Sequence, residues 1–189
     1  SVEGEQDRIA RDAMLEDLET QVEMFELREH LRALNVLHSP LQMIRACFDL
    51  MPRETDEQWL NIARRMEKVP DALEKYRRTL VEGQSRGMTA SVRQTTECAA
   101  QAEVWGGLKE GAPSFFQSLL DAYDRSGVES PPLRNDLAGA AQSAAAAYAE
   151  MRSFLLDEYL PRATQKDAVG RERYAIVARM FNGMEIDLE

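Results

Sequence analysis

The sequence predicts an all-α fold, a bundle-like arrangement of about seven or eight helices with no significant sheet. Apolar residues recur at steps of three and four along most of the chain, which is the period of a helix with one buried face. No stretch alternates with period two in residues such as Val, Ile and Thr, which is the pattern typical of a strand. We therefore expect residues 1–189 to form a single helical domain.

The composition excludes several classes of function. Of the 189 residues, 44% are hydrophobic, which is enough to bury an ordinary core. The formal charge of −10 opposes contact with phosphate backbones, so we expect no nucleic-acid partner. No apolar run reaches the roughly 18 residues of a membrane span, so we expect no membrane association. Cys47 and Cys98 are too few for a disulfide framework, which favours a reducing, cytoplasmic location.

The first predicted element is a long helix over residues 6–34. Its apolar residues follow one stripe, which shifts once near Phe25. The stretch from Asn35 to Pro40 breaks this helix, because the residue before a proline avoids helical geometry. Residues 41–51 then form a short and almost wholly apolar helix, which we expect to be buried on several sides.

The middle of the chain carries recognisable helix starts. Thr55 stands three residues before Gln58, a capping-box spacing that opens a helix. Pro70 falls where the first turn of the next helix tolerates proline. Further helices are expected to be capped by Thr89 and by Ser114, since a hydroxyl side chain accepts from an unpaired backbone N–H.

The longest predicted helix covers residues 133–160 and contains an alanine tract at 144–147. Alanine combines high helix propensity with a small side chain, so a neighbouring helix can approach closely. Pro161 ends this helix, and a last helix starts after Gly170 and ends near Gly183.

These stripes supply the side chains that we predict to be buried. Each lies at helical spacing from its apolar neighbours. They are Leu15, Leu18, Val22, Phe25, Leu60, Tyr76, Leu80, Phe116, Leu137, Tyr148, Leu155 and Phe181.

The two histidines do not form a metal-binding motif. His30 and His38 are eight residues apart, whereas a zinc-peptidase helix needs His-Glu-x-x-His to place two imidazoles on one face. Glu26 precedes His30 by four residues, which we interpret as an ordinary intrahelical pair. We predict no metal site and no catalytic residue in this chain.

The cysteines and the basic residues are also given structural roles. Cys47 lies inside an apolar run, and Cys98 follows Glu97, whose charge would raise the pKa of a thiol. Residues 64–93 carry an excess of basic over acidic side chains, which we interpret as a solvated helix face.

Four segments resemble, in order and spacing, the bacterial family known as domain of unknown function 885. The first, residues 35–45, reads Asn-Val-Leu-His-Ser-Pro-Leu-Gln-Met-Ile-Arg, and the second, residues 59–70, ends in Glu-Lys-Val-Pro. The third, residues 76–87, reads Tyr-Arg-Arg-x-Leu-x-x-Gly with a further glycine at its end. The fourth, residues 169–189, begins Val-Gly-Arg-Glu-Arg-Tyr.

The resemblance implies properties that the residues themselves do not show. Full-length members are longer, mostly helical, and look like zinc metallopeptidases or carboxypeptidases with a His-Glu-x-x-His helix in the C-terminal half. On this resemblance the chain is an internal piece of a longer protein, and it lacks that helix. None of the family's metal ligands maps onto a position here, so zinc is expected in the parent protein and no cofactor in this chain.

The expected function is therefore that of a helical, non-catalytic portion of a metallopeptidase-like protein, which helps to shape the substrate channel of a zinc catalytic half. The alternative is an autonomous helical adaptor or regulatory module that binds a protein partner through an exposed apolar groove. The expected partners are the C-terminal catalytic half of the parent and, for the isolated chain, a second copy by self-association.

The C-terminal helix carries the one predicted binding site. We expect an exposed apolar patch over residues 174–184, because this helix would have to cover both its own domain and the missing half. Arg173 and Tyr174 would lie at the rim of that patch, with their polar tips available to a substrate or to the catalytic domain. The alternative for these two residues is a surface arginine and a tyrosine that anchors the core.

Overall fold

A computed structural model of the chain describes residues 4–184 and residue 187, and most of these residues are helical, as predicted. The described residues contain no strand. They include three short segments of other helical geometry, namely the 3₁₀ segments Glu29–Arg32 and Leu160–Arg162 and the π-helical segment Phe154–Tyr159. The α-helices are α1 (Glu5–Glu26), α2 (Pro40–Ala46), α3 (Asp56–Met66), α4 (Val69–Ser85), α5 (Val92–Trp105), α6 (Phe115–Asp124), α7 (Pro131–Ser153) and α8 (Arg171–Asn182).

Helix α7 is the centre of the core, and α3, α4, α5 and α6 all pack against it. Its alanines allow this close packing, as predicted. A Cβ atom added to Gly106, at the end of α5, would lie 3.0 Å from the backbone nitrogen of Ala149. The buried alanines of α7 are Ala140, Ala141, Ala144 and Ala147.

Most helix starts follow the predicted capping chemistry. The side-chain oxygen of Thr55 accepts from the backbone N–H of Gln58 at 3.3 Å, and Ser114 caps α6 in the same manner. The cap of α5 is Ser91, however, and the expectation of Thr89 is wrong. The backbone N–H of Val92 donates to the carbonyl of Thr164, and the N–H of Thr164 donates to the carbonyl of Ala90. These two hydrogen bonds keep the chain extended as far as Ser91.

The predicted end of the longest helix also differs. Regular α-geometry stops at Ser153, and the next six residues form a π-helical segment. This segment brings the hydroxyl of Tyr159 to the backbone N–H of Ala90, which donates to it at 2.9 Å. The π-helical turn therefore connects the end of α7 to the start of α5.

The first helix ends at Glu26, eight residues earlier than predicted. Arg28 adopts a left-handed conformation with φ 55°, which turns the chain out of the helix. The 3₁₀ segment that follows places Leu31 against α4, where a Cβ on Gly83 would lie only 2.2 Å from the carbonyl oxygen of Leu31.

The predicted core is confirmed in the middle of the chain and wrong at its ends. Leu60 is partly buried. Six of the predicted side chains are buried: Tyr76, Leu80, Phe116, Leu137, Tyr148 and Leu155. Five are exposed instead: Leu15, Leu18, Val22, Phe25 and Phe181. The exposed five all lie on α1 or α8, because these two helices pack through polar side chains.

Candidate functional site

Helix α1 turns its polar face inward. Thr20 is only 1% exposed, and its hydroxyl donates to the carbonyl of Glu16 at 2.8 Å. From α8, the Arg179 guanidinium donates from Nε to the Thr20 hydroxyl at 3.1 Å and from Nη2 to a carboxylate oxygen of Glu23 at 2.6 Å. Arg179 also forms an ion pair with Glu16 at 3.2 Å. The two helices are thus joined by a polar clamp centred on one arginine.

The opposite face of α1 is apolar and faces solvent. We call it the α1 stripe: Met14, Leu15, Leu18, Val22 and Phe25. These side chains are between 49% and 69% exposed. At 100° per residue, the stripe lies roughly half a turn from the clamp residues around the helix axis. If hydrophobic burial alone determined how α1 packs, the apolar stripe would face the protein and the clamp residues would face solvent.

Helix α8 adds further exposed apolar surface. The patch that we predicted over residues 174–184 is present, but only in part. Its exposed members are Tyr174, Met180, Phe181 and Met184. Ile176 and Val177 are partly buried, so α8 covers its own fold with one side and leaves the other uncovered.

The two predicted rim residues have different environments. Arg173 forms a bidentate ion pair with Glu29, with nitrogen–oxygen distances of 2.8 and 2.5 Å. Glu29 also pairs with Arg32 at 2.8 Å, and its side chain is only 12% exposed. Arg173 therefore ties α8 to the 3₁₀ segment. Tyr174 is half exposed.

An open cleft of about 620 Å³ lies at the base of the α1–α8 pair. Its walls come from α1, the segment 29–35, the start of α5, the loop 164–169 and α8. Phe25 and Met180 line it and belong to the exposed apolar surface as well. A partner that covered the α1 stripe would consequently lie beside the mouth of this cleft.

One wall of the cleft is fixed by a charged cluster. Asp167, from the loop 164–169, accepts hydrogen bonds from the Ser91 hydroxyl and from Nε of Arg93. The bond from Ser91 first, and then the bond and positive charge of Arg93, lower the pKa of the Asp167 carboxyl. The loop is thereby held against the N-terminus of α5.

The histidines do not lie together. His30 is exposed and stacks on Phe25, with ring centroids 5.1 Å apart and planes 12° from parallel. The left-handed turn at Arg28 separates Glu26 from His30, so the predicted intrahelical pair of these two residues is wrong. His38 is exposed in the turn before α2.

The cysteines are not activated nucleophiles. Cys98 is fully buried, and this burial, together with the nearby Glu97 charge, raises the pKa of its thiol to about 11. The predicted effect of Glu97 is confirmed in direction, although burial is the larger cause. Cys47 is partly buried, and burial raises the pKa of its thiol also.

The residues in the described part of the chain do not fit a catalytic zinc ion. Across residues 4–184 and 187, no three His, Cys, Asp or Glu side chains are grouped so that they could hold a metal ion. A catalytic zinc needs about three protein ligands and an open position. The same residues contain no helix with the length and hydrophobicity of a membrane span.

Two features of the site escaped the sequence analysis. The polar clamp depends on Arg179 and Thr20, which are far apart in sequence. The only sequence signal for it is that the face of α1 opposite the stripe carries Glu16, Thr20 and Glu23 at helical spacing. No sequence motif indicates the cleft, because its walls come from five separate segments of the chain.

The fold and the cleft define a class: an all-α protein with an exposed apolar helix face beside an open groove. The family model described as bacterial protein of unknown function, DUF885, matches residues 1–189. The chain belongs to this family, as the resemblance of its four segments indicated. No curated protein matches the chain.

Proposed function

We propose that this chain is the helical, non-catalytic portion of a metallopeptidase-like protein, and that it shapes the substrate channel of a zinc-containing catalytic half. The observation that carries the proposal is the orientation of α1, which packs through Arg179 and Thr20 and leaves its apolar stripe in solvent. A contiguous apolar face that is left in solvent usually marks an interface. The catalytic half is the partner that would cover it.

The position of the cleft supports a role in forming a channel. Phe25 and Met180 line the cleft and are exposed beside its mouth. A domain seated on the stripe would convert the open groove into a covered passage with one apolar side. The other side carries Glu29, Arg173 and Asp167, which could orient a polar chain.

The proposal assigns no zinc ligand to this chain. The described residues contain no suitable cluster, so the metal chemistry would come entirely from the catalytic half. The contribution of this chain would be to bind and position the substrate.

The complete gene product tests the proposal when it is compared with the 189-residue chain. We expect the complete product to hydrolyse peptides of a quenched-fluorescence library and to contain zinc, whereas this chain does neither. In the complete product, Leu18→Gln with Val22→Gln should reduce activity by breaking the contact between the halves. The matched control is Val104→Gln with Leu108→Gln, which changes two exposed apolar residues, one in the last turn of α5 and one just after it.

A second pair of variants tests the channel itself. Met180→Ala alters a residue that lines the cleft, whereas Met184→Ala alters an exposed methionine that does not. We expect the first to raise KM a few-fold with little change in kcat, and the second to leave both unchanged. An inactive gene product, or activity insensitive to both the stripe and the cleft variants, would favour the adaptor alternative.

A further inference from the structure

We infer that the α1 stripe binds an amphipathic helix whose apolar residues are flanked by lysine or arginine. The inference rests on the proposed function in one respect, namely that a partner surface covers this stripe. It adds the chemistry of that partner, which follows from the spacing of the stripe and from the charges beside it.

The spacing of the stripe is that of a coiled-coil seam. Leu15, Leu18, Val22 and Phe25 are separated by three, four and three residues, which are the steps between the a and d positions of a heptad. Such a seam accepts a second helix along its length, because the side chains of each helix insert between those of the other. The occupant that fits is a helix rather than a loop or a strand.

The charge beside the stripe is uniformly negative. Asp12, Glu19 and Glu26 recur every seven residues at the e positions of the same heptads, and all three are exposed. Between Asp12 and Glu26 there are no basic residues. Charged residues at the e and g positions set the choice of partner, so an acidic row favours a basic one.

The other acidic residues of α1 are already neutralised or face elsewhere. Arg179 pairs with Glu16 and Glu23 on the far side of the helix. Among the residues that the structure describes, neither Glu19 nor Glu26 forms an ion pair. Asp12 is paired with Arg11 at 3.1 Å, so Glu19 and Glu26 are the members of the row that keep their charge for a partner.

A second copy of this chain fits the stripe less well. In an antiparallel arrangement the acidic rows of two copies would face each other, and like charges in contact destabilise a helix pair. In a parallel arrangement the row would face Met14 and Gln21, which carry no positive charge. Residues 12–26 contain no basic side chain, so the span of the stripe on a second copy supplies no base to Glu19 or Glu26.

The experiment uses two synthetic three-heptad peptides as probes. Both have leucine at a and d, and they differ only in having lysine or glutamate at e and g. Fluorescence anisotropy of each labelled peptide is measured with the 189-residue chain at low and high salt. We expect saturable binding of the lysine peptide, binding of the glutamate peptide weaker by about tenfold or more, and weaker lysine-peptide binding at high salt.

Variants of the chain separate this inference from unspecific charge attraction. Glu19→Lys with Glu26→Lys should reverse the preference between the two peptides, whereas Leu18→Gln with Val22→Gln should abolish binding of both. Glu97→Lys with Glu110→Lys makes the same charge change on exposed residues away from α1 and should leave the preference unchanged. Circular dichroism of each variant confirms that it is folded.

Three results would overturn the inference. The first is equal binding of both peptides by the unaltered chain, and the second is a loss of preference in the Glu97 and Glu110 control. The third is a stable dimer in light scattering that the Leu18 and Val22 variant abolishes, because the occupant would then be a second copy. The proposed function fails separately, through an inactive gene product, and that result leaves the peptide preference intact.

Discussion

The close contact between α4 and the 3₁₀ segment predicts that Gly83→Ala destabilises the protein. A Cβ atom at this position would lie 2.2 Å from the carbonyl oxygen of Leu31 and 2.7 Å from that of Met88. Both atoms belong to the backbone, so neither moves aside by a change of rotamer. The Leu31 carbonyl would have to retreat by about 1.2 Å to reach the ordinary contact distance of 3.4 Å.

Two opposing terms set the expected magnitude. Alanine within a helix is more favourable than glycine by about 1 kcal/mol, because glycine loses more backbone freedom on folding. Overpacking a tight contact costs about 1–3 kcal/mol, and a backbone clash at 2.2 Å belongs at the upper end of that range. The net change is a loss of about 2 kcal/mol in the free energy of unfolding.

Gly139→Ala is the matched control for this prediction. Gly139 lies inside α7, is exposed, and has no heavy atom within 4 Å of an added Cβ. Only the propensity term remains, so this variant should be more stable by about 1 kcal/mol. Urea unfolding followed by far-UV circular dichroism measures both variants. A Gly83→Ala protein as stable as the unaltered chain would refute the argument from close approach.

Three further outcomes follow from the clamp, the buried thiol and the absent ligand cluster. Arg179→Met should lower the protection of α1 in hydrogen exchange by about 1–3 kcal/mol, because a partly buried charged hydrogen-bond donor is lost. The control Arg171→Met, on the exposed side of α8, should leave this protection unchanged. Alkylation of Cys98 in the folded chain should be slower than alkylation of Cys47, and its rate should rise steeply only as the pH approaches about 11, where the Cys98 thiolate forms. Equal alkylation rates of the two cysteines at neutral pH would contradict the burial of Cys98. The 189-residue chain should retain no stoichiometric zinc after dialysis and hydrolyse no peptide, which metal analysis and the same peptide library check.

Much of the helical architecture could be predicted from local chemistry. The caps at Thr55 and Ser114 depend on residues three positions apart, and the end of α8 at Gly183 depends on one glycine in the left-handed region. The close packing of α7 follows from its alanines. Each of these features is encoded within a few residues of where it occurs.

The orientation of α1 could not be predicted by the same reasoning. Amphipathic periodicity identifies an apolar face, but it does not state which protein surface that face contacts. Here the inward face is selected by Arg179, which lies 159 residues from Thr20 in the chain. The predicted end of α1 is also wrong. Arg28 breaks the helix without a glycine or proline nearby, and Leu31 continues the helical spacing of apolar residues past the break.

The cleft was unpredictable for a related reason. Its walls combine the segments 29–35 and 164–169 with the ends of three helices, and the contact of Ser91 with Asp167 spans 76 residues. No single segment carries a motif for it. The tertiary arrangement alone brings these segments together.

The π-helical segment Phe154–Tyr159 makes the length of this part of the chain critical. A π-helical turn holds about one residue more than an α-helical turn, since its hydrogen bonds span five residues instead of four. Deleting one residue here would restore α-geometry and rotate everything that follows by about 100° around the axis of α7. Tyr159 would then miss Ala90, and Thr164 would lose its pairing beside Ser91. Among related sequences, insertions and deletions should therefore be tolerated in the turns at Gly111 and Gly127, where space is open, and selected against between residues 154 and 164.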